Sequence, residues 1–215
     1  MGKGRAVVDR EGLRVQRYSL GSYSTNAYLL ICKKTGESVL IDAPAEAEMI
    51  MKALEGTKPR YILLTHTHLD HIGALAELRS LKIPLAAHAA ERPNLSSPPE
   101  FFLEDGEKIC FGQQELKVLH TPGHTKGSLS FYLEGFLFSG DTLFPGGPGK
   151  TVSPAALKEI IASITRQLFT LPDHTRVFPG HGEDTVLKKE KEAYKKFASS
   201  PHDPNLCGDV TWLSD

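Results

Sequence analysis

The sequence predicts an α/β protein in which two β-sheets pack face to face with helices on their outer sides. Three observations carry that expectation. Each half of the 215-residue chain alternates short β-rich runs with helical stretches. One helical stretch carries a one-sided apolar stripe of the kind that covers a sheet. No solenoid-length repeat or low-complexity tract interrupts the pattern. With 40% of its residues hydrophobic the chain can bury a substantial core, and one domain over residues 1–215 is the expected organisation.

In the first half, Asn26 to Cys32 and Ser38 to Ile41 read as strands, Ala45 to Leu54 as a helix, Tyr61 to Leu64 as a strand and Ile72 to Leu81 as a helix. In the second half, Glu115 to Leu119, Ser128 to Tyr132 and Phe136 to Ser139 read as strands. A helix then opens at Ser153-Pro154 with Ser153 as its N-cap. Leu157, Ile160, Ile161, Ile164 and Leu168 form its apolar stripe and leave Lys158, Glu159 and Arg166 to water. Arg176 to Pro179 is a last strand. Val186 to Phe197 is a last helix, whose lysine-rich run with Glu190 and Glu192 reads as a solvated face or, alternatively, as a site for an anionic ligand. The Pro- and Ser-containing stretch Glu91 to Glu100 reads as a surface loop.

Composition narrows the function classes. Lys plus Arg number 25 against 26 Asp plus Glu, scattered along the chain, so no basic face is offered to nucleic acid or a membrane. The three cysteines, Cys32, Cys110 and Cys207, fit neither a disulfide framework nor a thiolate zinc site, which points to a reducing cytoplasm. The start, Met1-Gly2-Lys3-Gly4-Arg5, leads into charged sequence without an apolar core, and no long apolar run follows, so neither secretion nor membrane spanning is expected.

The chemistry concentrates in Thr65-His66-Thr67-His68-Leu69-Asp70-His71, directly after the apolar strand Tyr61 to Leu64. In an extended segment His66 and His68 point the same way, while a turn at Asp70-His71 aims those side chains at an adjacent point. Imidazoles beside a carboxylate are what borderline divalent metals select. Further candidates sit where a strand or tight loop hands over: His124 in Thr121-Pro122-Gly123-His124, Asp141 in Ser139-Gly140-Asp141-Thr142, and His181 in Pro179-Gly180-His181-Gly182. Each follows a glycine, which permits close backbone approach.

In this order across Asp42 to His181, the H-x-H-x-D-H motif, a later His, an Asp and a final His, the chain resembles the metallo-β-lactamase superfamily. The resemblance implies an αββα sandwich with two divalent metal ions, zinc first and iron or manganese as alternatives, in a cleft at the sheet edges. It implies His66, His68 and His124 on one ion, Asp70, His71 and His181 on the other, and Asp141 bridging. Asp42 matches an acid that orients the ligands from behind, or else it caps the helix after it. A metal pair lowers the pKa of bound water to about 7 and steadies charge on the attacked group. Catalysis is thereby expected from a metal-bound hydroxide with Asp70 and Asp141, on an anionic or polarised substrate. No dedicated general acid stands out, which favours a leaving group such as a thiolate that departs with little help.

Within the superfamily the runs at 121–125, 139–144 and 179–182 look like glyoxalase II (hydroxyacylglutathione hydrolase), which implies cleavage of acyl thioesters. Lys150 matches a lysine that contacts the glutathione carboxylate there, or it is a surface lysine. Two tyrosines of that family are absent, with Val152 and Glu183 in their places, and the chain runs on from His181 only to Asp215, too short for the family's full C-terminal helical domain. A short or different thiol carrier is as compatible as glutathione. The alternatives are a persulfide dioxygenase with a single iron, a superfamily nuclease, and a non-catalytic metal-binding module. Gly149-Lys150-Thr151 is no phosphate loop, because Phe144 stands where a glycine is needed and Pro148 lacks an amide donor. His88, His174 and His202 read as surface or core residues. His120 is open between those roles and a hydrogen bond behind the ligands.

Overall fold

The computed structural model describes residues 4–212; Met1 to Lys3, part of the charged start, lie outside them. A seven-stranded sheet runs in chain order through β1 (Arg5–Arg10), β2 (Leu13–Leu20), β3 (Thr25–Cys32), β4 (Glu37–Ile41), β5 (Lys58–Leu63), β6 (Leu85–Ala87) and β7 (Phe101–Phe102). A six-stranded sheet follows: β8 (Lys108–Phe111), β9 (Gln114–His120), β10 (Leu129–Leu133) and β11 (Phe136–Gly140). A small separate hairpin, β12 (Leu143–Phe144) with β13 (Gly147–Pro148), comes next, before β14 (Arg176–Pro179) and β15 (Thr185–Val186) complete the second sheet beside β11. Helices α1 (Ala47–Leu54), α2 (Leu69–Ile72) and α3 (Leu75–Leu78) belong to the first half, α4 (Pro154–Ser163) and α5 (Leu187–Ala198) to the second.

Alternation along the strands decides the layers. In β3, Tyr28 and Leu30 join Phe111, Phe131, Phe138 and Phe178 in the core between the sheets. Ala27 and Leu29 face the other way, into a cluster with Ile50, Leu54 and Leu78 of the first-half helices. The second sheet does the same: Leu137 and Val177 meet Ile160, Ile164 and Leu168 on its outer side. Both faces of each central strand are therefore covered, so β3 is buried almost throughout. The result is the αββα sandwich expected from the sequence. Among the described residues no helix is long and apolar enough to cross a membrane.

Several elements differ from expectation. The helix expected over Ile72 to Leu81 is broken into α2, α3 and a 3₁₀ turn, Arg79–Leu81. The Ala74 amide donates to the Ala43 carbonyl at 2.9 Å instead of continuing the helix, which ties this segment to the loop after β4. The helix opened by Ser153, whose Oγ accepts from the Ala156 amide at 3.2 Å, widens after Ser163 into a π-helical stretch, Ile164–Leu168. There Thr165 Oγ1 donates to the Ile161 carbonyl at 2.8 Å. Glu91 does not belong to a surface loop: it lies in a 3₁₀ segment, Ala89–Asn94, and is only 2% exposed. Strands β1 and β2, for which no element is expected from the sequence, form the edge of the first sheet.

Strand direction places the site. β4 and β5 run parallel, as do β11 and β14, and β9 is antiparallel to β10, which is antiparallel to β11. The carboxyl ends of β4, β5, β9, β11 and β14 thus meet at one edge of the sandwich. Backbone bonds stitch these ends together: Leu129 N–H to Thr65 O at 2.8 Å, Gly180 N–H to Gly140 O at 2.8 Å and Asn26 N–H to Gly180 O at 2.7 Å.

Candidate metal centre

Each strand end delivers one part of the cluster. Past β5 come His66, His68, Asp70 and His71; past β9, His124; past β11, Asp141; past β14, His181. Their donor atoms fall into groups lying within 4.8 Å: His66, His68 and His124; His66, His71 and Asp141; Asp70, His71 and His181. Every residue named as a ligand from the sequence is brought to this edge, and none is stranded elsewhere.

The glycines preceding the late ligands are explained by what surrounds them. A side chain on Gly123, at φ 133°, would strike the backbone of α4 at Ile160, and one on Gly180 would strike Asp141 Oδ1 and His71. Gly140, at φ 50°, lies against the Thr65 side chain.

Hydrogen bonds fix which imidazole nitrogen faces inward. His71 Nδ1–H donates to Asp42 Oδ2 at 2.8 Å, His124 Nδ1–H to the Lys150 carbonyl at 2.8 Å and His181 Nδ1–H to the Tyr23 carbonyl at 3.1 Å. Thr65 Oγ1 donates to Asp42 Oδ2 at 2.8 Å, so its oxygen accepts from His66 Nδ1 at 3.0 Å. Each of these rings is left with its Nε2 facing inward, whereas His68 turns its Nδ1 inward. His68 Nδ1 stands 3.1 Å from His66 Nε2 and 2.9 Å from His124 Nε2, and His71 Nε2 stands 3.2 Å from His181 Nε2. Nitrogens converging at such distances must share a proton or a cation. Tetrahedral ligands at 2.0–2.1 Å from zinc would be about 3.3 Å apart, so the nitrogens are spaced for one.

Asp141 stands between the groups. Its Oδ1 is 3.4 Å from His71 Nε2, and its Oδ2 is 3.6 Å from His124 Nε2 and 3.5 Å from His181 Nε2. Oδ1 is buried without a hydrogen-bond partner, an orphaned acceptor that a cation would satisfy. Asp70 Oδ2 accepts from Thr25 Oγ1 at 2.9 Å and lies 3.2 Å from His181 Nε2. The donor set, imidazoles with two carboxylates, fits divalent metal ions.

Electrostatics agree with that fit. Burial, reinforced by His71, holds His66 well below the ordinary histidine range, and burial with His124 lowers His68, so both rings are neutral and able to donate. Burial also works against charge on His71, but the Asp42 and Asp141 carboxylates prevail and push it up to about 10. Burial resists ionisation of Asp141, yet His71, His66 and His124 hold it well below the usual carboxylate range.

Residues behind the ligands support the centre, Asp42 and His120 among those weighed from the sequence and Glu91 not. Asp42 does not cap α1; it takes a left-handed backbone at φ 59° and receives the Thr65 amide at 2.8 Å besides Thr65 Oγ1 and His71. Glu91 accepts from the Thr67 amide at 2.9 Å, from Thr67 Oγ1, from Thr125 Oγ1 at 2.8 Å and from the Gly127 amide at 3.0 Å. It thereby clamps the loop holding His66 and His68 to the loop holding His124. His120 stacks on His88 at 4.1 Å and its Nε2–H donates to the Lys126 carbonyl at 2.9 Å, so it braces the His124 loop without touching a ligand ring. Glu183 pairs with Arg17 at 3.0 Å, and Arg17 Nη1 also donates to the Gly182 carbonyl at 3.1 Å, which anchors the chain after His181. A cleft of about 450 Å³ opens beside the centre, lined by His124, Asp141, His181, Phe144, Lys150 and Asp209 among others.

Fold and site together define a family. The profile of the metallo-beta-lactamase superfamily matches residues 20–181, and the chain belongs to that superfamily. Among its relatives, a probable metallo-hydrolase YqgX of Bacillus subtilis is 34% identical over 84% of this chain and 95% of that protein. A hydroxyacylglutathione hydrolase of Thermosynechococcus vestitus is 37% identical over 76% of this chain and 66% of that enzyme. Among solved structures, the BLEG-1 B3 metallo-beta-lactamase superposes with a TM-score of 0.75 at 33% identity, covering 83% of this chain and 96% of that one. ETHE1 from Myxococcus xanthus gives 0.74 at 30%, covering 87% and 85%. TTHA1623 in a di-iron-bound form gives 0.72 at 36%, covering 81% and 96%.

Proposed function

We propose that this protein is a hydrolase of acyl thioesters that works with two divalent metal ions, zinc first. The observation that carries the reading is the set of inward-facing imidazole nitrogens, those of His66, His71, His124 and His181 fixed by a hydrogen bond on the far side of the ring, arranged on both flanks of Asp141 at the mouth of a cleft. His66, His68 and His124 would hold one ion and Asp70, His71 and His181 the other, with Asp141 shared. Bound there, the ions would polarise the acyl carbonyl and bring the pKa of water to about 7.

The chain's own residues do the rest. Asp42, through Thr65 and directly, keeps the His66 and His71 rings in one tautomer and orientation, and Glu91, through Thr67 and Thr125, holds together the loops that carry His66, His68 and His124. Asp70, held by Thr25, is the carboxylate placed to orient water and receive its proton, while Asp141 keeps its negative charge between the two groups of ligands. Exposed apolar side chains neighbour the centre in the chain: Tyr23, whose carbonyl holds His181, Leu69 between His68 and Asp70, and Val152 shortly after Lys150. Phe144, Pro145, Pro148 and Val210, which line the cleft, offer an acyl group an apolar wall. The thiolate leaves without needing a strong acid. The likeness to hydroxyacylglutathione hydrolases supports the thioester class.

The test is hydrolysis of S-lactoylglutathione and simple acyl thioesters by metal-loaded and chelator-stripped protein. Cleavage that disappears on stripping and returns with zinc is expected; no cleavage of any thioester by fully loaded protein would refute the reading. The likeness to ETHE1 supports one rival, the single-iron persulfide dioxygenase, which oxygen uptake with a persulfide substrate would reveal.

A further inference from the structure

The two groups of ligands are braced from different parts of the chain. His66 is oriented by Thr65 and His124 by the Lys150 carbonyl, and Glu91 ties their loops together. His71 is fixed by Asp42, which also accepts from Thr65. Asp70 and His181 rest instead on the two residues that open β3. Thr25 Oγ1 donates to Asp70 Oδ2 at 2.9 Å, and the Thr25 backbone forms an isolated antiparallel bridge with His181. One position on, the strand's alternation turns Asn26 to the opposite face, where it meets the turn that carries His181. Its backbone N–H donates to the Gly180 carbonyl at 2.7 Å, and its side-chain Nδ2 donates to the Pro179 and Gly182 carbonyls, both at 3.0 Å. Both partners of the side chain are acceptors, so the amide group must present its two N–H donors to them, which no carboxylate or single hydroxyl could do. Thr25 and Asn26 are each only 1% exposed.

We propose that Thr25 and Asn26 are positioning residues for one metal ion only: they set the affinity of the Asp70, His71 and His181 group and leave that of the His66, His68 and His124 group unchanged. Without the Thr25 hydroxyl, Asp70 is free to turn away from His181. Without the Asn26 amide, the His181 turn stays attached, because Tyr28 still donates to Pro179 and Arg17 to Gly182, but nothing spans it. The His66 and His124 braces touch neither residue. The inference rests on the proposed function for its two-ion arrangement alone and needs no substrate.

The experiment is competition titration of the stripped full-length protein with zinc against a chromophoric chelator, for the wild type, Thr25→Val, Thr25→Ser and Asn26→Ala, with circular dichroism as the check on folding. Two ions are expected in the wild type. Thr25→Val, which keeps the shape of the side chain, and Asn26→Ala should each weaken one ion about 10–100-fold and leave the other as it was, while Thr25→Ser, which keeps the hydroxyl, should restore both. Zinc anomalous scattering from crystals of the two weakened variants, grown at one equivalent of zinc, should place the ion on His66, His68 and His124. Both ions weakened alike, neither weakened, or the ion lost from the His66, His68 and His124 group would overturn the proposal. An Asn26→Ala chain that does not fold would overturn the role given to Asn26, since Tyr28 and Arg17 should suffice for the turn, and Thr25→Val then decides for Thr25. A wild type that takes up a single ion would refute the two-ion reading and this proposal together; two ions without selective loss in the variants would refute this proposal alone.

Discussion

At the residue scale, the centre depends on side chains that touch no metal. Asp42 accepts three hydrogen bonds from a left-handed backbone position, a conformation that asparagine also tolerates. Asp42→Asn should therefore fold but lose its charge behind His71, and metal affinity should drop about 10–100-fold in a competition titration against a chelator. Unchanged affinity would show that His71 needs no such orientation. Glu91→Ala leaves the buried donors of Thr67 and Gly127 unanswered and should cost about 3 kcal/mol in urea unfolding. The ligands were legible in the sequence because imidazoles crowd into the segment from His66 to His71 and because each later ligand follows a glycine. Thr25, Thr65 and Glu91 were not, since a lone hydroxyl or carboxylate carries no spacing signal; only the position of Thr65 next to His66 hinted at its role.

At the element scale, short connections after strands β5, β9, β11 and β14 set how far each ligand reaches. Gly180 has an ordinary backbone conformation, so Gly180→Ala acts through the collision with Asp141 and His71 alone. It should abolish metal binding while circular dichroism stays that of the wild type; a variant that still loads metal would show that Asp141 has room to move. Ile160, buried where α4 covers Gly123, should cost about 2–5 kcal/mol as Ile160→Ala, read by urea unfolding. Strands β3, β4, β9, β10, β11 and β14 and the capped helix α4 were legible from period and N-cap. The break between α2 and α3 was not: the apolar spacing runs on through Gly73, and what stops the helix is the distant Ala43 carbonyl. β1 shows no alternation to read, whereas in β2 Leu13 and Val15 alternate with Arg14 and Gln16 before the buried Arg17 breaks the apolar pattern.

At the scale of the whole molecule, two sheets built in different halves of the sequence must close on one another before any metal group is complete, because His66 and His68 come from one half and His124 from the other. Metal binding is thereby coupled to the closed sandwich. Zinc at about a thousand times its Kd should add about 4 kcal/mol to stability and raise Tm by about 10 °C in a calorimetric scan. The sequence pattern could predict the sandwich and its ligand order. It could not place Asp209 beside the cleft, which depends on how Trp212 packs against α5. The central claim is tested most directly by measuring thioester hydrolysis on protein of determined metal content. The account predicts about two divalent ions per chain and S-lactoylglutathione cleavage that follows their removal and return; a single iron per chain, oxygen uptake with a persulfide and no cleavage would contradict it.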